Sequence, residues 1–532
     1  MSKKSIKQPQ KPAQQKVAAA SPKREKRLLP VLPIFFLFTW LWAAWYYGSV
    51  FYISREYSFW VADTRIMEFV LCQPYGILRY IGRAMLQLYR FPWLGGLLMA
   101  LMLSAGSWLT GYCMRLRPSW RSIQYLPALV YMAVVTWHGL DIFYEARTGL
   151  IFGIPFVALL VLCIWSIIIR SFSRKPVPAF IGIPRDETPR QNRIQLLFIA
   201  LCLAAIIGFD QWQRPYVRVI CSLLDMEYRQ DWAGIQKLAR ANAKMSNRPM
   251  ACSYAIALVQ TGQIAERMYD IRLDYDSLHI NGMDWKHNNA SCLYVPEGNY
   301  YGGFIESSQH ACMEQMVMTG PTIRLLKLMV KCALMREEWE LADKYLAVLR
   351  RVPFEGDFVK KYEPMVRRVD LVNAEPEMAM IRLTEPIHDS FENQYQQPLF
   401  MGYNLMLVEG RSQNALINSL CVCLYTKLMP QFVERLEPLV GTTPPSIIMD
   451  GIMLAENKNP GISKNFTGLN FRKPQLQTFL ENMRPYMSDR AGHAYELFPR
   501  YKGYYPYYYF FGNLKATKKG YTSLSSSNSG VN

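Results

Sequence analysis

The stretch REYSFWVADTRIMEF gathers Arg55, Glu56, Asp63, Arg65 and Glu68 beside a long apolar run. Arg79, Arg83 and Arg90 follow at spacings of four and seven, which share one face of a helix. A carboxylate such as Asp63 can take the proton from an acceptor hydroxyl, and the guanidinium groups of Arg79 and Arg83 can hold a phosphate through paired N–H bonds. The same pattern also suits an amphipathic helix lying in a membrane interface, with Ile77, Leu78, Ile81 and Met85 toward lipid. Farther on, His279, Asp284, His287 and Asn288 fall in an irregular insertion at 277–303. Their HxxxxxxxH spacing matches no common ligand pattern, so no metal is assigned. His310, His388 and His493 stand alone and read as structural. No Walker loop, GxSxG, HExxH or paired CxxC occurs, and no cofactor is expected.

The elements that must position these residues divide into two regimes. Of the 532 residues 51% are apolar and only 19% charged, and the long uncharged runs lie almost entirely before residue 214. A hydrocarbon core of about 30 Å needs roughly 20 apolar helical residues. Spans are predicted near 28–53, 91–114, 122–140, 149–169 and 194–212, with an interfacial helix near 66–90. In the second span Gly96, Ala100, Ser104, Ser107 and Gly111 form a stripe of small residues that lets another helix approach closely.

Orientation follows from the loops, because Lys and Arg collect on the cytoplasmic side. With residues 1–27 as a basic cytoplasmic tail, the inside segments hold eighteen basic residues and the outside loops six. Five crossings then put residues 214–513 outside the cytoplasm. The net charge of +19 is concentrated in these flanks, which argues for a lipid bilayer as partner and against nucleic acid. Eleven cysteines without CxxC spacing read as small buried hydrophobes rather than a disulfide framework.

From Arg214 onward apolar positions recur at three and four, with Pro and Gly punctuation. The clearest unit is KCALMREEWELADKYLAVLRRVPF, in which Leu334, Trp339, Ala342, Tyr345, Leu346 and Leu349 form one face and Pro353 ends the helix. This is the pattern of a tetratricopeptide-like helical hairpin. The fold class expected is therefore all-α: a bundle of about five transmembrane helices followed by an α-helical-hairpin solenoid, with a disordered tail at 514–532. The ring-rich run YYPYYYFF near the end reads as a cap on the last repeat.

The stretch LCQPYGILRYIGRAMLQLYRFPWLGG, the spans after it, the hairpin domain and the YYPYYYFF run resemble an uncharacterised family of polytopic inner-membrane proteins of Gram-negative bacteria. The resemblance implies a bacterial inner-membrane location and supplies no catalytic residues. The resulting expectation is a membrane-anchored scaffold that presents its periplasmic repeats to a periplasmic or membrane protein partner, without evident catalysis. The alternative is a membrane glycosyltransferase using a polyprenyl-phosphate sugar donor, with Asp63 as base and Arg79 and Arg83 on the phosphate.

Overall fold

A computed structural model describes residues 30–139, 148–172, 188–213, 215–245, 247–273, 293–385, 412–425, 427–512, 514–517 and 520–523. The class is all-α, as expected. The only strands among the described residues, Leu514–Thr517 and Gly520–Ser523, pair antiparallel within the tail expected to lack structure. Most of the 277–303 insertion lies outside the described residues, with His279, Asp284, His287 and Asn288; His388 lies outside them too.

The apolar bundle departs from the expected five spans. Three helices, Pro92–Cys113, Leu150–Ser171 and Pro189–Gln213, are long and apolar enough to cross a membrane. A fourth forms if the pair Val31–Tyr46 and Gly48–Glu56, bent by 58°, counts as one span. The stretch expected at 122–140 splits into a 3-10 segment, Pro118–Tyr125, and a helix of 13 residues, Leu126–His138. At about 1.5 Å per residue that helix is roughly 20 Å long, short of the hydrocarbon thickness. Pro118 and Pro127 each sit in the first turn of their segment and fix where it starts.

The interfacial helix expected near 66–90 is likewise two helices, Thr64–Leu71 and Gly76–Leu86, and a 3-10 turn, Gln87–Arg90. The break falls at Pro74 and at Tyr75, whose φ of 59° lies in the left-handed region. Phe69, Tyr75 and Ile77 are exposed along this pair. Its inner side meets the Leu150–Phe172 helix where glycines allow backbone contact. A Cβ on Gly82 would lie 1.7 Å from the Gly149 carbonyl oxygen.

The small-residue stripe faces inward. Ala100, Ser104 and Ser107 are buried, and a Cβ on Gly96 would lie 2.7 Å from the Ala44 methyl carbon.

The larger helical part shares its first helix with the bundle. Helix Pro215–Tyr228 places Val217, Ile220 and Leu224 in the bundle's core and Leu223 in the core of the helical domain. That second core runs from Phe59 and Val61, in the loop after the first apolar helix, to Tyr505 and Tyr508. Successive helices pack on one another through 215–260 and 295–349. Their starts are fixed by side-chain caps: Asp231 accepts from the Gly234 amide, Asn247 from Met250 and Thr322 from Leu325. The hairpin Ile323–Met335 and Trp339–Leu349 buries Leu334, Ala342, Tyr345, Leu346 and Leu349, the face expected; Trp339 is half-buried. Cys221, Cys252, Cys312, Cys332, Cys421 and Cys423 are buried thiols.

Introducing a large side chain into the small-residue stripe forces overpacking, at about 1–3 kcal/mol per site. Ala100→Leu and Ser104→Leu should each lower the melting temperature of the detergent-solubilised protein. Leu101→Phe, on a face that is 45% exposed, should leave it unchanged. Equal effects of all three would place the stripe on the outside of the bundle.

Candidate functional site

The three residues singled out for transfer chemistry each have their own surroundings. Asp63 caps helix Thr64–Leu71 by accepting from the Arg65 amide at 2.9 Å, and its other oxygen takes a 2.6 Å bond from Arg351. The Arg351 hydrogen bond and the backbone amide of Arg65 hold its carboxyl below the usual range, which makes it a weaker base. Arg79 donates to the Gln73 side chain at 3.2 Å. Arg83 is 8% exposed, with its side chain against Gly149.

Glu56 and Arg55, from the same stretch, lie at a different centre. They end helix Gly48–Glu56 and are fully buried where the bundle meets the helical domain. Arg55 bonds Glu56 at 2.7 Å and Glu355 at 2.5 Å, and donates to the Pro353 carbonyl at 2.9 Å. Lys327 closes the cluster, 3.0 Å from Glu56 and 2.8 Å from Glu355. One helical turn on either side of Lys327 sit two more pairs. Arg324 grips Glu297 through two nitrogens while its guanidinium lies 4.6 Å from the Tyr57 ring centre, and Lys331 meets Glu377 at 2.8 Å. Nearby, the Ile323 amide donates to the Ser58 carbonyl at 3.0 Å.

These pairs wall a cavity of about 390 Å³ whose lining also includes Tyr52, Arg90, Glu227, Tyr228, Tyr301, Phe358 and Tyr362. Sequence reasoning missed most of it. The available signal was Arg324, Lys327 and Lys331 at spacings of three and four in IRLLKLMVKCALM, a single cationic stripe on an otherwise apolar helix. Such a stripe inside a domain requires buried carboxylates opposite it.

Glu227, 2% exposed, is a buried carboxylate of this cavity with no cation bonded to it among the described residues. It accepts from Ser253 Oγ at 3.0 Å, and its other oxygen has no partner. Burial, followed by the neighbouring charge of Glu297, pushes its pKa up to about 8, against the opposing effects of Ser253, Arg324 and Lys331. It therefore holds a proton at neutral pH. No group of three or more metal-type side chains occurs among the described residues.

The architecture defines an all-α protein with membrane-type helices packed against a larger helical domain through buried ion pairs. A family of unknown function (DUF6057) matches residues 199–512, more than half of the chain, and the chain belongs to that family. The match runs from within the last apolar helix to the end of the aromatic run. No curated protein matches, and no solved structure does.

Removing one member of a buried ion cluster leaves uncompensated charge, at about 3–5 kcal/mol. Arg55→Met should lower the melting temperature sharply, whereas Arg368→Gln, which breaks a pair whose arginine is 59% exposed, should not change it. An unchanged melting temperature in Arg55→Met would show that the cluster does not hold the junction.

A second outcome follows from Glu227. Its folded pKa of about 8 exceeds the ordinary value of 4.5, so its contribution to stability is complete below about 4.5 and is lost as pH rises through about 8. Glu227→Gln should flatten the fall in melting temperature across that window and be the more stable form above it. Parallel pH profiles for the two proteins would show that Glu227 is already ionised.

Proposed function

We propose that the chain is a multi-pass bacterial inner-membrane protein, amino terminus in the cytoplasm, whose helical domain serves as a protein-binding scaffold in the periplasm. The observation that carries the scaffold reading is an open groove of about 850 Å³ beside the most regular helical hairpin. It is lined by Gln309, Glu337, Glu338, Trp339, Glu340, Leu341, Lys344 and Arg367. Its open form, its mixed charge and the half-buried ring of Trp339 suit a polar protein segment with one apolar anchor better than a small enclosed ligand.

Five crossings are supported by the company the short helix keeps. Gln124, ahead of it, lies against Gly111 near the end of the Pro92–Cys113 helix. Trp137, at its other end, stacks on Phe209 near the end of Pro189–Gln213, with ring centres 5.4 Å apart. A helix with such neighbours runs alongside the last span, and its 3-10 extension supplies length that its own residues lack. The excess of basic residues in the inside segments gives the direction.

Alkaline phosphatase fused after Gln213 should be active and fused after Lys175 inactive. The reverse pattern would overturn the orientation. A photo-crosslinking amino acid at Lys344 in the membrane-resident protein should capture a discrete partner that the same probe at Lys458 does not. If neither position yields an adduct, the groove is no docking surface. Loss of cellular function in Asp63→Asn at normal expression and stability would instead favour the transferase, since that substitution keeps the shape of the helix cap while removing the base.

A further inference from the structure

The charges around the junction cavity differ in how far they face it. Its lining holds six cations, Arg90, Arg229, Arg324, Lys327, Lys331 and Lys361, and five carboxyl groups. Four of the carboxyls are buried, and the fifth, Asp357, is exposed. Of the cations Arg324 alone is buried. The accessible wall therefore carries five cations against one carboxylate. Pairing does not undo this, because in each pair the carboxylate is the inner member. Lys331 is 16% exposed and Glu377 1%, Lys361 44% and Glu375 4%; Lys327 likewise stands in front of Glu56 and Glu355, and Arg229 in front of Asp225.

Arg90 is the cation least committed to a partner. It forms no ion pair among the described residues, and its hydrogen bond is a long one, 3.5 Å to the Tyr52 hydroxyl. Glu56 and Asp225 act on it only through longer-range charge. The Arg229 guanidinium lies 5.9 Å from the centre of the same Tyr52 ring, so Tyr52 brings two guanidinium groups to one part of the cavity. In the helical domain Lys327 borders the Phe358 ring, and Lys331 and Lys361 flank Tyr362. A lysine has three N–H donors and an arginine five, so an anion can be met here without parting the existing pairs.

Several accessible cations suit a ligand with several anionic oxygens, and the planar guanidinium fork matches phosphate in particular. The free volume of about 390 Å³ falls at the small end of the ligand-site range of roughly 300–1,000 Å³, which admits a phosphate with a short organic group. Arg90 closes the turn Gln87–Arg90 directly ahead of Pro92–Cys113, a helix long and apolar enough to cross a membrane. A phosphate at that level can come from solution or from a lipid headgroup. We propose that the cavity at the junction of the bundle and the helical domain is a binding site for a phosphate ester, held by Arg90 and Arg229 beside Tyr52 and by the lysines of the facing helices. The inference rests neither on the scaffold groove nor on Arg79 and Arg83.

Calorimetric titration of the full-length protein in detergent with glycerol 3-phosphate and with glycerol, and native mass spectrometry of the same protein with added phosphatidic acid, test it. Saturable heat from glycerol 3-phosphate supports a soluble phosphate ester as ligand, and a discrete phosphatidic acid adduct without such heat supports a lipid headgroup. Glycerol should give no saturable heat. Arg90→Gln and Arg229→Gln should each weaken the bound phosphate about tenfold at an unchanged melting temperature, whereas Lys458→Gln, an exposed cation outside the cavity, should leave it unaltered. Should Arg90→Gln fail to fold, Arg229→Gln decides, because its side chain is 61% exposed. Neither heat nor adduct overturns the proposal. So does phosphate affinity unaltered in both arginine variants, or a loss in Lys458→Gln equal to theirs.

Discussion

A charge removed from water must find its opposite, and the junction of this protein is built around that requirement. Arg55 and Glu56 end a helix of the apolar bundle, yet Lys327 and Glu355, which complete their cluster, belong to the helical domain. Buried ion pairs add little net stability over an apolar core of the same shape, but separating one is costly. The cluster therefore acts mainly on orientation. The domain cannot swing away from the bundle without leaving cations and carboxylates unpaired, so the two parts are held in one register. Burial of Phe59 and Val61 in the domain core and the Ser58 carbonyl bond to Ile323 act in the same sense.

That constraint explains which features were legible in the sequence. Helical class, the long spans Pro92–Cys113 and Leu150–Ser171, and the face of the 323–349 hairpin all depend on periodicity and on runs of like residues, which a linear reading records. The third expected span did not survive as one helix, because proline placement divides an uncharged stretch that hydropathy alone treats as continuous. The charged residues of REYSFWVADTRIMEF divide between two sets of contacts. Arg55 and Glu56 turn inward to one set of partners, while Asp63, only a few residues on, caps a helix and meets Arg351. The partners are hundreds of residues distant, and sequence spacing carries no information about them.

The cavity was hidden for the same reason. Its wall draws on helices starting at Gly48, Pro215, Val295, Ile323 and Gly356. What could be read locally was the cationic stripe of Arg324, Lys327 and Lys331, and with it the need for carboxylates opposite. Which carboxylates those are, and that Glu227 would be left without a cation, follows only from the fold. Glu227 is also near enough to Glu297 for the two to compete for the same cations, and the bidentate grip of Arg324 on Glu297 resolves that competition. The proton on Glu227 follows from a partner being taken.

The aromatic run near the end follows the opposite logic, with apolar surface first and polar groups accommodated within it. Residues Tyr505–Phe511 form a helix whose Tyr505 and Tyr508 enter the large core, while Phe511 closes a smaller cluster with Phe479 and Met483. Tyr508 lies 4.7 Å from the Tyr269 ring centre and stacks on Tyr425 at 5.5 Å. Two hydroxyls would be stranded by this burial, but each finds a carbonyl at the end of helix Gln413–Tyr425: Tyr505 donates to Leu424 at 3.0 Å and Tyr508 to Tyr425 at 2.9 Å. A helix's last carbonyls have no partner within the helix. The tyrosine hydroxyls thus donate to carbonyls at this helix end, while their rings cover the apolar surface around them. Phenylalanine at either position would supply the ring and remove that donor, which is the physical reason for tyrosine where the run turns inward.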